Sequence, residues 1–247
     1  MHCSILSPTH PKLVLTCEWP TQSMQHFTFN EHTLTVELAP PGTEDDMLFD
    51  DGELTGEAFD HTGLGRVWPA SVVLCRWLAA HPADVEGRRV LELGAGTGLP
   101  SLLCAKLNAE HVVATDLTQA VVDRLGRALA DAGAAGRHDA LCLPWEDSKA
   151  LLAAAGTIDT VLLADVVYPM KDQAPLLAAL RGLLVAKPGI TILLASTARD
   201  PKLHGHLEEH LRALPGVQLE ELCHESERDP LYGLALVFLY RLRSSAV

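Results

Sequence analysis

The sequence predicts an α/β fold with a mainly parallel sheet that is buried on both faces. Five short aliphatic runs between residues 88 and 196 are separated by helical segments rich in Ala and Leu, the pattern of repeated β-α-β units. Two further apolar runs follow each other across one loop near the end of the chain, so they can pair antiparallel. The length of 247 residues suits one sizeable domain, alone or with a small appendage.

The seven strands of this sheet are expected at the aliphatic runs. In chain order these are RRVLELG, HVVATDL, DALCLPW, TVLLADVVY, ITILLAS, VQLEELCHES and GLALVFLYRL. Ahead of them, the segment VWPASVVLCRWLAAHP places Val72, Val73 and Trp77 at helical spacing and stops before Pro82, which predicts a helix.

The N-terminal part of the chain has a different character. Polar and apolar residues alternate on both sides of Asn30 in HFTFNEHTLTVELAP, which predicts a β-hairpin. The acidic, glycine-rich stretch 40–63 is expected to be a solvated loop. We therefore divide the chain into an N-terminal arm (1–25), the hairpin with its acidic loop (26–66) and a main domain (67–243).

The charge balance limits the classes of partner. The chain has 32 acidic and 19 basic side chains, a net charge of −13, which repels phosphate backbones and attracts basic protein segments. We therefore expect no nucleic-acid partner. Because we find no apolar window of membrane-spanning length and no signal-peptide pattern, we also expect no membrane and an intracellular location. The absence of a Lys/Arg cluster of the nuclear-import kind favours the cytoplasm over the nucleus.

The cysteines and histidines predict no metal site. Six cysteines are spread along the chain without a close pair of the zinc-binding or redox kind, and Cys75, Cys104 and Cys142 within apolar runs are expected to be buried. His206 and His210, with Glu209, satisfy the H-x-x-E-H spacing of a zinc peptidase. No protease scaffold accompanies them, so we interpret them as a solvated helix face.

The clearest motif is the turn VLELGAGTGLP, with glycines at positions 94, 96 and 98 after the first predicted strand of the sheet. Ligands of open parallel sheets bind at the carboxyl ends of the strands. Glycine there permits positive φ and close approach of a ligand to the main chain. The dinucleotide fingerprint requires a further glycine where this chain has Leu99, so the turn departs from a pyrophosphate site.

Two acidic residues accompany this turn. Glu92 stands just before it, where a carboxylate is unfavourable beside a pyrophosphate and favourable beside a cation. Asp116 ends the second strand of the sheet, where a carboxylate can accept both hydroxyls of a ribose. S-adenosylmethionine has an adenosine and positive charge without phosphate, so it fits both acids.

Five motifs then occur in order: GRVWPAS, VLELGAGTGLPSLLCAKLNA, TDL, LPWED and LLADVVYP. On these motifs the sequence resembles the seven-strand, class I methyltransferases, and more narrowly methyltransferase family 16, the lysine methyltransferase-like group. The resemblance covers roughly residues 25 to 240. It implies a Rossmann-like seven-stranded sheet of order 3-2-1-4-5-7-6 with an antiparallel last pair, an N-terminal β-hairpin and S-adenosylmethionine as cofactor.

The resemblance also implies the cofactor-binding residues. They are Trp68, Glu92, Gly94, Ala95, Gly96, Asp116, Trp145 and Ala164. In the roles it implies, Trp68 and Trp145 flank the cofactor, with Trp145 near the adenine, and Gly94 and Gly96 contact the methionine end. Asp116 binds the ribose. Taken alone, the two tryptophans are equally consistent with half-buried core residues.

The segment LLADVVYP carries the predicted catalytic residues, Asp165 and Tyr168. Enzymes that methylate exocyclic amines of bases commonly have an Asn/Asp-Pro-Pro-aromatic stretch here, whereas Asp-Val-Val-Tyr matches the protein-lysine pattern of family 16. We hypothesise that Asp165 orients the incoming lysine ammonium or helps carry its proton to water, while Tyr168 walls the amine channel. The alternative for Asp165 is a cap at the strand end.

The sequence thus predicts an S-adenosylmethionine-dependent methyltransferase that acts on a lysine of a protein substrate. Two alternatives stay open: a methyltransferase for another protein side chain or a small molecule, and a docking scaffold that kept the fold without turnover. No local motif names the substrate.

Overall fold

The computed structural model describes residues 23–39, 65–134, 136–145, 147–166, 173–199, 201–229 and 233–245. The predicted acidic loop, Tyr168 and most of the predicted N-terminal arm lie outside these residues. The strands are β1 (Ser23–Phe29), β2 (His32–Leu38), β3 (Arg89–Leu93), β4 (His111–Asp116), β5 (His138–Cys142), β6 (Thr160–Ala164), β7 (Thr191–Thr197), β8 (Val217–Asp229) and β9 (Gly233–Ser244). The helices are α1 (Pro69–Ala80), α2 (Leu99–Lys106), α3 (Gln119–Leu129), α4 (Ser148–Ala154), α5 (Gln173–Ala186) and α6 (Pro201–Arg212).

The main sheet has seven strands in the order β5-β4-β3-β6-β7-β9-β8. The first five of these are mutually parallel, and β9 runs antiparallel to both β7 and β8. Numbered within the sheet, this is the order 3-2-1-4-5-7-6, so the predicted topology is confirmed. The central strand β3 therefore lies between β4 and β6. Successive strands are added on one side of β3 as far as β5, and from β6 onward they are added on its other side.

Both faces of the sheet are covered by helices, as the continuous apolar runs require. One cluster of buried side chains packs α1, α2 and α3 against alternate residues such as Val90, Ala114 and Leu162. A second packs α4, α5 and α6 against the intervening residues, such as Leu91 and Leu163. Within the described ranges, no helix combines the length and the apolar character needed to cross a lipid bilayer.

The predicted N-terminal hairpin is confirmed as a separate two-stranded sheet. Phe29 pairs with His32, which leaves a two-residue turn in which Asn30 has φ of 51°. The Asn30 side chain donates a hydrogen bond of 2.8 Å to the carbonyl of Ala79 at the end of α1. Glu37 also pairs with Arg124 of α3 at 3.0 Å, so both ends of the hairpin are attached to the main domain.

Two details differ from the sequence predictions. Strand β6 ends at Ala164, before the predicted end at position 168, because Asp165 adopts a left-handed φ of 55°. The prediction that Cys142 is buried is wrong, whereas Cys75 and Cys104 are buried as expected. Cys142 ends β5, which is an edge strand of the sheet and is only partly covered, so an apolar run does not guarantee burial there.

The Asn30→Ala variant is expected to lose about 1–2 kcal/mol of unfolding free energy. Alanine removes the bond to Ala79 and is unfavourable at positive φ. Urea unfolding measures the loss, and Asn30→Gly, which tolerates the conformation but lacks the bond, should lose less. Equal stability of Asn30→Ala and wild type would contradict this role of the turn.

Candidate cofactor and active site

The turn between β3 and α2 depends on glycine for both conformation and space. Gly94, Gly96 and Gly98 have φ of 67°, 50° and 75°, a region that other residues rarely adopt. A Cβ on Gly98 would lie 2.5 Å from Cδ2 of Leu125. A Cβ on Gly94 would lie 3.0 Å from Cγ1 of Val166. Larger residues would therefore disturb the turn at both places.

Hydrogen bonds that the turn donates to β4 fix its shape. The amide of Ala95 donates to the carbonyl of Thr115 at 2.9 Å, and the amide of Gly96 donates to Oδ2 of Asp116 at 2.8 Å. The Thr115 hydroxyl donates in turn to the carbonyl of Glu92 at 2.8 Å. Because these bonds lie within the protein, the turn has its shape before any ligand binds.

Glu92 lies beneath the turn and is 1% exposed. Its Oε2 accepts hydrogen bonds from the amide of Ser101, at 2.9 Å, and from the Ser101 hydroxyl. Ser101 is the third residue of α2, and the residue at the cap position, Gly98, has no side chain that could accept from the first amides of the helix. Glu92 thus caps α2 from the neighbouring strand.

Burial raises the pKa of Glu92 to about 8, although the two hydrogen bonds from Ser101 act in the opposite direction and the charge of Asp116 adds a further rise. Near neutral pH the Glu92 carboxyl is therefore mostly protonated when no cation is bound beside it. A cation bound near the turn would favour its ionised form, which agrees with the predicted preference of this position for positive charge.

Asp116 ends β4 at the carboxyl edge of the sheet. Besides the bond from Gly96, its Oδ1 accepts from the amide of Leu117 at 2.7 Å. Burial raises the pKa of Asp116, and hydrogen bonds from the backbone of Gly96, Leu117 and Thr118 lower it. These bonds orient the carboxylate beside the glycine turn, where the sequence predicts a ribose acceptor.

The two predicted aromatic residues lie on different elements. Trp145 follows β5, and its Cζ2 lies 3.6 Å from the position of a Cβ on Gly94, so its ring covers the start of the turn. Trp68 precedes α1, and the guanidinium groups of Arg66 and Arg199 lie 4.1 and 4.7 Å from its ring centre. Both tryptophans are half-buried.

The end of β6 contributes the remaining residues. Ala164, the last residue of the strand, is 8% exposed and pairs with Ala195 of β7. Val166 approaches Gly94 closely enough that a side chain at position 94 would contact it. Sequence reasoning did not single out Val166, although it lies within the LLADVVYP motif, because its proximity to the turn arises from the pairing of β6 with β3.

Asp165 has a buried carboxylate, with its side chain 2% exposed. The amide of Thr197 donates to Oδ1 at 2.8 Å, and the Thr197 hydroxyl donates to Oδ2 at 2.6 Å. Oδ2 also lies 3.0 Å from Nη2 of Arg199 and 3.4 Å from the amide nitrogen of Ala70. The carboxylate thus links β6 to the end of β7 and the start of α1, which resembles the predicted strand-end cap more than a free acid facing a substrate.

Thr197 and Arg199 were not predicted from the sequence, because neither belongs to a recognisable motif. The zinc-like residues His206, Glu209 and His210 are exposed on α6. In the part of the chain that the structure describes, no three His, Cys, Asp or Glu side chains are grouped so that they could hold a metal ion.

The sheet order, with a glycine turn after the central strand and an acid at the end of its neighbour, defines the fold of class I methyltransferases. A solved structure of this fold is a 16S rRNA methyltransferase (RsmC) of T. Thermophilus in complex with AdoMet and guanosine, with a TM-score of 0.56 and 20% identity over 92% of this chain and 51% of that one. Residues 50–210 match the lysine methyltransferase family, and the chain belongs to this family.

Two relatives are named as lysine methyltransferases. The protein-lysine N-methyltransferase EFM3 of Chaetomium thermophilum is 36% identical over 56% of this chain and 44% of its own length. The EEF1A lysine methyltransferase 3 of Mus musculus is 36% identical over 61% of this chain and 62% of its own length. The chain therefore spans about half to three-fifths of the length of these relatives.

The wild type is expected to lose stability as the pH rises from 6 to 8, and the Glu92→Gln variant is expected not to show this loss. The unfolded chain releases this proton near an ordinary glutamate pKa, whereas the folded protein holds it up to about pH 8, so raising the pH between these values destabilises the fold. Relative to the variant, the wild type should lose roughly 2–3 kcal/mol of unfolding free energy between pH 6 and 8.

Urea unfolding at pH 6, 7 and 8 without ligand measures this difference. Glu86→Gln is the matched control, because it makes the same substitution at an exposed glutamate. A Glu92→Gln protein with the same pH dependence as wild type would show that Glu92 is ionised throughout this range.

Proposed function

We propose that this protein is an S-adenosylmethionine-dependent methyltransferase that transfers methyl groups to a lysine side chain of a protein substrate. The observation that carries the proposal is the glycine turn of Gly94, Gly96 and Gly98, held by Asp116 and underlain by the buried Glu92, in a chain of the lysine methyltransferase family. The names of the two relatives support a lysine of a protein as the acceptor.

The residues of the turn fit this cofactor. A Cβ at Gly94 would fill space beside Trp145 and Val166, so a glycine leaves the main chain open there. Asp116, and Glu92 once a nearby cation favours its ionised form, would supply negative charge that attracts a sulfonium or an amino group. When bound, S-adenosylmethionine supplies a methyl group on a positively charged sulfur.

Each predicted residue then has a proposed role. Asp116, oriented by the amides of Gly96 and Leu117, would accept the ribose hydroxyls. Trp145 beside Gly94 would cover the adenine, and Trp68 would flank the cofactor from the start of α1. The turn itself, with Ala95, would hold the methionine end, and Ala164 would form the wall of the pocket.

The transfer step requires a neutral amine, because a lysine ammonium has no free electron pair to attack the methyl group. It also requires in-line alignment and exclusion of water. We propose that Tyr168 walls the amine channel and that Asp165 acts mainly by positioning the segment that leads to it. The contacts of Asp165 with Thr197 and Arg199 support this role over direct contact with the ammonium.

The charge of the protein supports a protein substrate. With a net charge of −13 the surface attracts basic segments, which commonly surround a target lysine, and repels nucleic acid. We further propose that the protein works in the cytoplasm, a proposal supported by the absence of a Lys/Arg cluster of the nuclear-import kind in the sequence.

The proposal is tested by transfer of radiolabelled methyl groups from S-adenosylmethionine to proteins in a lysate of the source cells, followed by mass spectrometry of any labelled band. We expect a discrete protein labelled on lysine. Asp116→Ala should label at least ten-fold less, because a lost charged hydrogen-bond acceptor weakens cofactor binding by about 10- to 100-fold. Asp131→Ala, an exposed residue, is the matched control.

Other outcomes would change the assignment in different ways. Label on arginine, histidine or a small molecule would contradict the lysine assignment and keep the methyltransferase. Cofactor binding without any label would favour the docking scaffold. Equal labelling by Asp116→Ala and wild type would contradict the proposed cofactor site.

A further inference from the structure

Arg199, just after β7, contacts two predicted site residues on different elements. Its Nη2 lies 3.0 Å from Oδ2 of Asp165, and its guanidinium carbon lies 4.7 Å from the ring centre of Trp68. We propose that Arg199 is a positioning residue that sets the placement of Trp68 relative to Asp165 and Val166, the two residues that follow β6. This inference rests on the proposed function, since it assumes that the methyl group and the amine meet between these two parts of the site.

Arg199 compensates Asp165, whose backbone and carboxylate are both in unfavourable environments. The Asp165 φ of 55° lies in the left-handed region, which Asp tolerates better than most residues but still at a cost, so the surrounding contacts help to hold it. A carboxylate that is 2% exposed also requires a compensating charge. Among the described residues, Arg199 is the cation that pairs with it, while Thr197 supplies two further hydrogen bonds.

A change at Asp165 reaches the glycine turn through the next residue. Val166 approaches Gly94 so closely that a Cβ there would lie 3.0 Å from its Cγ1. If Arg199 were removed, the buried carboxylate of Asp165 would lose its paired charge and would rotate away from Thr197. The backbone that carries Val166 would then lose part of its support, and the wall beside the turn would shift.

Arg199 also contacts Trp68, at the start of α1. Trp68 stands at the cap position of α1, and the amide nitrogen of Ala70, two residues later, lies 3.4 Å from Oδ2 of Asp165. The guanidinium of Arg199 over the indole face adds a cation–π contact to the same junction. Arg199 and Asp165 together therefore tie the start of α1 to the ends of β6 and β7.

The chain offers a matched control for this pair of contacts. Arg241 of β9 pairs with Asp84 at 3.3 Å, and its guanidinium carbon lies 5.9 Å from the ring centre of Trp77. Its side chain is 15% exposed, compared with 19% for Arg199. The contacts of Arg241 lie at the opposite end of the parallel strands from the glycine turn. Its partner Asp84 marks this end, because the Asp84 carbonyl accepts a hydrogen bond from Thr160, the first residue of β6.

The test compares full-length Arg199→Ala, Arg199→Lys and Arg241→Ala with wild type. Transfer of radiolabelled methyl groups to the protein labelled by wild type gives kcat and KM for that protein, and calorimetry with S-adenosylhomocysteine gives the cofactor-site Kd. We expect Arg199→Ala to lower kcat by roughly ten-fold or more, a larger change than in either KM or Kd, because misplacement acts on the aligned reacting geometry.

The other variants separate positioning from stability. Arg199→Lys should be intermediate, because lysine keeps the charge beside Asp165 but lacks the planar group that stacks on Trp68. Arg241→Ala should keep wild-type kcat even if its melting temperature falls as much as that of Arg199→Ala. Combining Asp165→Asn with Arg199→Ala should lower kcat no further than Arg199→Ala alone, since the two residues act as a unit.

A wild-type kcat for Arg199→Ala would overturn the role of Arg199 and leave the proposed function intact. An equal loss of kcat in Arg199→Ala and Arg241→Ala would also overturn it, because stability alone would then explain both. Absence of methyl transfer by the wild type itself, with cofactor bound, would contradict the proposed function and with it this inference.

Discussion

Helix α2 begins directly after the turn that follows the central strand β3, and its cap residue, Gly98, has no side chain that could accept from the first amides of the helix. Glu92 meets this constraint from below, because its buried carboxyl group accepts the amide and the hydroxyl of Ser101. The three glycines of the turn can then each adopt a positive φ, which other residues rarely do. The placement of Trp145, Val166 and Asp116 around the turn depends on this arrangement.

The same arrangement has an electrostatic consequence. The Glu92 carboxyl occupies an amide at the positive end of α2, the place that attracts phosphate in dinucleotide-binding folds. Together with Asp116 it makes the site favourable for a cationic ligand instead. Burial raises the pKa of Glu92, and ionising this buried carboxyl destabilises the folded protein.

Much of this was predictable from local sequence. The aliphatic runs predicted the strands, and the glycine spacing with Glu92 and Asp116 located the turn, because these signals lie within short segments. The contacts of Asp165 were not predictable, since Thr197 and Arg199 reach it through the register of β6 with β7. The exposure of Cys142 was missed because the same apolar pattern occurs in covered and in edge strands.

The carboxyl edge of the sheet therefore combines a preformed turn, two acids and a junction of α1 with the ends of β6 and β7. The most direct test of this account is calorimetric titration of the wild-type protein with S-adenosylhomocysteine and, separately, with NAD. The account predicts saturable binding of S-adenosylhomocysteine. It predicts no detectable binding of NAD, because the turn has Leu99 where a dinucleotide site requires a glycine beside the pyrophosphate. Binding of NAD, or absence of binding by S-adenosylhomocysteine, would contradict it.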